Sequence, residues 1–226
     1  MSLILFIDDA TSEIPIGEFA KAETTRRYMK LTKEYIKENG LPRGIYSDKH
    51  SIFRQNQKGG HLKGELTQYG MSLKKIGIEL ICAHSPQANG RLERSFGTHQ
   101  DRLVKEMRLA GIRTLEKANR LLKGHLKKHN EKFGVKPLKE ENGHEENRVD
   151  LDRAFTIKEE RTLSKGLSCQ YKNRCYQIKA PQNINRLQNK KIQILEKLDG
   201  QLIVETANGE ALKIEDTRTQ GESKRP

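Results

Sequence analysis

No tryptophan occurs in this sequence, and aromatic residues make up 5% of its 226 positions. A surface that stacks single-stranded bases on aromatic rings is therefore not expected. Cysteine is scarce as well. Cys82, Cys169 and Cys175 are odd in number and show no C-x-x-C spacing, which argues against a zinc ribbon or a disulfide framework and leaves reduced thiols. No apolar run is long enough to cross a membrane, and mean hydropathy is −0.84. The apolar start, Leu3-Ile4-Leu5-Phe6-Ile7, has no basic segment before it and is stopped by Asp8-Asp9, so it does not read as a secretion signal. A cytoplasmic protein with no membrane partner is expected.

Charge is what the chain has in abundance. Asp, Glu, Lys and Arg make up 32% of it, with 43 basic against 30 acidic residues and a formal charge of +13. A polyanion is the simplest partner for such a balance, and nucleic acid the simplest polyanion. Without aromatic platforms, contact with the phosphate backbone is the expected mode.

The hydrophobic pattern divides the chain. Residues 3–7 and 13–19 read as a hairpin, with Pro15 marking an edge strand. Thr24 or Thr25 caps a helix running to about Glu38, and Asn39-Gly40 followed by Pro42 ends it. Residues 43–47 form a short strand ending at Asp48, and a basic loop follows as far as Gly64. A helix over 65–76 stops at Gly77, and residues 78–82 form another strand. Apolar residues from Leu92 to Leu109 recur at helical spacing, as do Ala118, Leu121, Leu122, Leu126 and Phe133 within 114–133. His125 and His129 stand four apart on that last helix, but no third ligand lies near them in sequence, so no metal site is expected there.

Beyond it the period shifts towards two. Residues 167–178 read as a hairpin with Lys172-Asn173-Arg174 at its tip, and residues 191–195 and 201–205 as two strands joined through Leu198-Asp199-Gly200. The expected organisation is an α/β core over 1–135, a linker over 136–158, a small β-barrel over 159–216 and a disordered tail over 217–226.

The stretch Ser85-Pro86-Gln87-Ala88-Asn89-Gly90-Arg91-Leu92-Glu93-Arg94-Ser95-Phe96 joins a strand to a long helix. Glu93 sits in the first helical turn, where a carboxylate complements the helix dipole. Set between Arg91 and Arg94, it is equally suited to hold a metal beside a phosphodiester. This stretch resembles the last catalytic motif of the DDE transposases and retroviral-type integrases. The resemblance extends through Leu5-Phe6-Ile7-Asp8-Asp9-Ala10-Thr11-Ser12, Ile45-Tyr46-Ser47-Asp48-Lys49-His50-Ser51-Ile52-Phe53 and Gln100-Asp101-Arg102-Leu103-Val104-Lys105-Glu106-Met107-Arg108, over about residues 1–135. It points to bacterial insertion-sequence transposases with an integrase core.

That family resemblance implies an RNase H-like mixed sheet with flanking helices, followed here by an SH3-like barrel. It implies cleavage and strand transfer on double-stranded DNA, at transposon ends and target, by a homo-oligomer using two Mg2+ or Mn2+ ions. Three carboxylates hold such ions; Asp48 matches the second and Glu93 the third. The first lies on a strand upstream of the one ending Ile-Asp-Asp-Ala-Thr, and these 226 residues hold no counterpart. Asp8 and Asp9 close a strand antiparallel to the one before Asp48, roughly 15 Å away at about 3.3 Å per residue, and read as turn residues. The absent strand is the central one, so its neighbours are expected to lack main-chain partners. The chain is thus expected to be a fragment, N-terminally truncated and inactive alone.

Lys49, His50 and Arg54, after Asp48, are candidates for phosphate contact or a solvated loop. Arg91, Arg94, Arg102 and Lys105 are candidates to line a DNA path. Lys172, Arg174, Lys190 and Lys191 either bind DNA without reading sequence or guard an edge strand. The alternatives are a non-catalytic basic DNA-binding fragment, a regulator of an intact transposase, or a decayed reading frame.

Overall fold

The computed structural model describes residues 1–47, 52, 66–82, 97, 99, 101–139, 141–179 and 184–217. They fall into two compact units, Met1–Ala154 and Phe155–Pro226.

The first unit opens with strands β1 (Ser2–Phe6) and β2 (Ile16–Ala20), paired antiparallel from Ser2↔Ala20 to Phe6↔Ile16. The turn between them is built by Asp8. Its carboxylate accepts from Ala10 N–H at 2.8 Å and from the Thr11 hydroxyl at 3.1 Å, while its main chain bonds Ser12 and Glu13. Asp8 is thus occupied as a turn residue. Helix α1 (Thr25–Asn39) starts on Thr24, whose side chain accepts from Arg27 N–H, and buries Met29, Leu31, Thr32 and Ile36. Gly40 ends it at φ 90°. A Cβ there would lie 2.8 Å from the Glu145 carbonyl oxygen, so both backbone angle and space require glycine.

Strand β3 (Gly44–Ser47) and strand β4 (Glu79–Cys82) pair in parallel, from Gly44↔Glu79 to Ser47↔Cys82. Helix α2 (Gln68–Lys75), capped by Thr67, is the crossover element that a parallel pair needs. Its buried Tyr69 shares a hydrogen bond of 2.8 Å with Thr32 of α1. Among the described residues no ladder joins β1–β2 to β3–β4.

Helix α3 (101–109) and helix α4 (Leu115–Phe133) follow. Leu103, Ala118, Leu122 and Leu126 close a core with Leu5, Ile14 and Phe19 of the hairpin. Two amides on α4 bond main-chain groups of β2 and of the segment just before it. Asn119 accepts from Phe19 N–H at 2.7 Å and donates to its carbonyl at 3.0 Å. Asn130 does the same for Ile14, at 2.8 and 3.0 Å. Each side chain thus supplies the donor and acceptor that a neighbouring strand would offer. Because the Phe19 amide points to Asn119, the hydrogen-bonded pairs with β1 are those of Ser2, Ile4 and Phe6. The main-chain groups of Leu3 and Leu5 face the opposite edge of β1, where no strand is laid among the described residues.

Within the stretch expected to link two domains, residues 141–154 pack on this unit. Leu41 and Glu145 form a β-bridge, His144 Nε2 meets the Tyr35 hydroxyl at 2.6 Å, and Lys33 bonds Asp152 of the short helix α5 (Leu151–Ala154).

The second unit is a six-stranded, nearly closed, barrel-like antiparallel sheet. Its strands are β5 (Thr156–Thr162), β6 (Ser168–Tyr171), β7 (Arg174–Lys179), β8 (Lys191–Lys197), β9 (Leu202–Thr206) and β10 (Ala211–Asp216), in the order β5-β8-β9-β10-β7-β6. One turn, α6 (Ile184–Leu187), precedes β8. Leu163, Leu167, Cys169, Tyr171, Ile178, Ile192, Ile194 and Val204 form its core. The β6–β7 tip holds Lys172 and Asn173 at φ 47° and 61°, the left-handed pair that matches strand twist in a two-residue hairpin.

Candidate functional site

Strand β3 ends at Ser47, the residue before Asp48, and β4 ends at Cys82, ahead of the stretch that carries Glu93. The two strands are parallel and Ser47 pairs with Cys82, so both chains leave the sheet side by side at the same end. In open α/β sheets, ligands bind at this carboxyl end of the strands. Ser47 is buried, which anchors the backbone at that point. Asp48, Lys49, Arg54, Arg91, Glu93 and Arg94 themselves lie outside the described residues, as does His50. Among the described residues, no group of three or more His, Cys, Asp or Glu is arranged to hold a metal ion.

Arg102 and Lys105 are on α3, exposed, and each pairs with a carboxylate one turn away. Arg102 Nε lies 3.2 Å from Glu106, and Lys105 Nζ lies 2.7 Å from Asp101. Such exposed pairs are worth little to stability. They cancel the charge of the two cations, since Asp101, Arg102, Lys105 and Glu106 sum to zero. In the barrel unit Lys172 lies 2.5 Å from the buried Glu196, Arg174 3.6 Å from Asp216 and Lys191 2.7 Å from Glu160. The Glu160 carboxylate raises the pKa of Lys191, consistent with a retained charge.

A histidine cluster that spacing along one helix did not reveal is assembled where α4 meets the chain leading into α3. His99 is fully buried. Its Nδ1 lies 3.1 Å from His125 Nε2, and His125 Nδ1 lies 3.3 Å from Glu106. The His129 ring centroid is 4.4 Å from that of His99. With His125 Nδ1–H donating to Glu106, His125 Nε2 accepts from His99 Nδ1–H. His99 Nε2 is left buried without a hydrogen-bond partner. Burial first, then the neighbouring His129 and His125, pushes the His99 pKa down to about 4, and burial likewise lowers that of His129. His99 and His129 are therefore neutral near pH 7.

No protein-family model matches the chain. Over 143 residues, 63% of this chain and 31% of the other, it is 38% identical to the protein named transposase y4bF of Sinorhizobium fredii. Over 210 residues, 92% of this chain and 45% of the other, it is 29% identical to the transposase for insertion sequence IS1202 of Streptococcus pneumoniae. The chain is a relative of insertion-sequence transposases. It spans less than half the length of either of these two transposases. A match over 210 residues necessarily runs through both units, so the similarity to the second transposase includes the barrel as well as the α/β unit. No helix among the described residues is long and apolar enough to cross a membrane.

Proposed function

We propose that the first unit is the RNase H-like, integrase-type core of a DNA transposase, that the second is an SH3-like barrel, and that the protein acts on double-stranded DNA. The observation that carries this reading is the parallel register Ser47↔Cys82. It brings the two chain segments that continue to Asp48 and Glu93 out of the sheet at one end. Asp48 and Glu93 would hold Mg2+ or Mn2+, since hard cations take carboxylate oxygen, and the metal would activate the attacking oxygen and stabilise the leaving one.

Two carboxylates are fewer than the three that the resemblance implies, and among the described residues no ladder joins the edges of β1 and β3. On this reading these 226 residues do not transfer strands by themselves.

Manganese binding followed by electron paramagnetic resonance tests the site. Asp48→Asn and Glu93→Gln should each weaken binding at least tenfold; equal binding by wild type and both variants would sink the assignment. Magnesium-dependent strand transfer by this polypeptide, abolished by Glu93→Gln, would overturn the inactivity of the isolated chain while keeping its chemistry.

A further inference from the structure

Helix α4 carries a feature that neither the strand ends nor the pairs on α3 account for. Its buried stripe, Ala118, Leu122 and Leu126, faces the hairpin. At 100° per residue, Lys117, Arg120, Lys123, Lys127 and Lys128 fall on the opposite side. All five are exposed. Among the described residues none of the five makes an ion pair or is held by another side chain. The acids on this face, Glu116 and Glu131, stand at its two ends and are also unpaired. On α3, Arg102 and Lys105 pair with carboxylates one turn away; on α4, Arg120 stands four residues from Glu116 and Lys127 four from Glu131 without an ion pair, and the cations also sit one turn from each other, which repels within an isolated helix.

At the centre of the stripe is Gly124, exposed, with nothing within 4 Å of the position a Cβ would take. Neither packing nor backbone angle asks for glycine there, and a mid-helix glycine is unfavourable. Glycine does serve where a ligand must approach a backbone closely. The Asn119 and Asn130 clamps fix α4 to the sheet edge, so the cations stand on a rigid support. From Lys117 to Lys128 the helix rises about 16 Å at about 1.5 Å per residue, enough to reach phosphates on both sides of a groove about 12 Å wide.

We propose that the outward face of α4 docks on the sugar–phosphate backbone of double-stranded DNA, with Gly124 at the line of closest approach. Charge complementarity selects a polyanion, and the choice of duplex DNA rests on the function proposed above. No base readout is assigned to this face, because lysines on phosphate position a protein without specifying sequence.

The test is the salt dependence of binding of the whole 226-residue chain to a random-sequence DNA duplex. Arg120→Gln/Lys123→Gln/Lys127→Gln should lower the salt exponent by about 2.7, at about 0.9 per phosphate contact, and weaken binding roughly 100-fold near 0.1 M salt. Lys37→Gln/Lys74→Gln/Lys75→Gln removes equal charge from exposed positions on α1 and α2 and should change the exponent by less than about 1. Gly124→Gln keeps the charge, favours the helix and should weaken binding about tenfold by holding the backbone off. Equal losses in the two triple variants, or undiminished binding by the α4 triple, would overturn the surface. Unchanged affinity in Gly124→Gln would overturn the close approach. Failure of the wild-type chain to bind duplex DNA would remove the function reading itself.

Discussion

The amide clamps on α4 make a quantitative prediction. Replacing Asn119 with Leu removes two hydrogen bonds and leaves the Phe19 N–H and C=O facing an apolar side chain. Phe19 is buried, so solvent reaches those groups poorly. Each orphaned group costs about 1–3 kcal/mol, and new apolar contact offsets part of that, so a net loss of about 2–4 kcal/mol is expected. Asn130→Leu should cost a similar amount through the buried Ile14. The two sites are about 16 Å apart along the helix, with no shared partner, so the losses should add within about 0.5 kcal/mol. Asn119→Asp sharpens the test. It keeps the acceptor for Phe19 N–H, loses the donor and sets a negative charge against the Phe19 carbonyl, so it should be no better than Leu. Urea denaturation gives the totals, and amide exchange at Phe19 and Ile14 reports the sites directly. A loss below about 0.5 kcal/mol for both Leu variants would mean that water caps this edge as well as asparagine does, and the clamp would explain nothing.

Three further outcomes follow from other sites. The His99 pKa lies below its unfolded value, so the unfolded chain binds the extra proton between those two values; stability should fall as pH drops from about 6.5 to about 4 and then level off, and His99→Leu should flatten part of that slope in pH-dependent melting. Tyr171 donates to the buried Glu196 carboxylate at 2.9 Å, so Tyr171→Phe should destabilise the barrel by about 1.5–3 kcal/mol, read by thermal unfolding. Asn173 holds φ 61°; Asn173→Val should cost about 1–3 kcal/mol in the same assay and Asn173→Gly less, because a β-branched side chain is a steric outlier at that backbone angle and glycine is not.

What could be read from the chain depended on how local the cause was. The Thr24 cap, the stop at Gly40 and the Lys172-Asn173-Arg174 tip rest on interactions within a few residues, and spacing exposes them; spacing also found Ala118, Leu122 and Leu126 on the buried side of α4, while Phe133, expected there, is exposed. The barrel began earlier than expected, at Thr156, because β5 takes its register from β8, with Thr156 opposite Lys197. Composition made residues 136–158 look like free linker, whereas their contacts are with Leu41, Tyr35 and Lys33 far upstream. Asn119 and Asn130 looked like ordinary polar positions on a helix; their value comes from a strand edge a hundred residues away.

The candidate site divides the same way. The linear order of residues determined which carboxylates follow which strands, how much positive charge the chain carries and which transposases it resembles, because covalent sequence and formal charge need no contact to be known. Tertiary structure alone decided that β3 and β4 end together, that Lys172, Arg174 and Lys191 of the barrel meet acids far away in the chain, and that His99 is buried against His125 and His129. Each of those facts is a distance between groups remote in the chain, and such distances are fixed only when apolar faces close on one another.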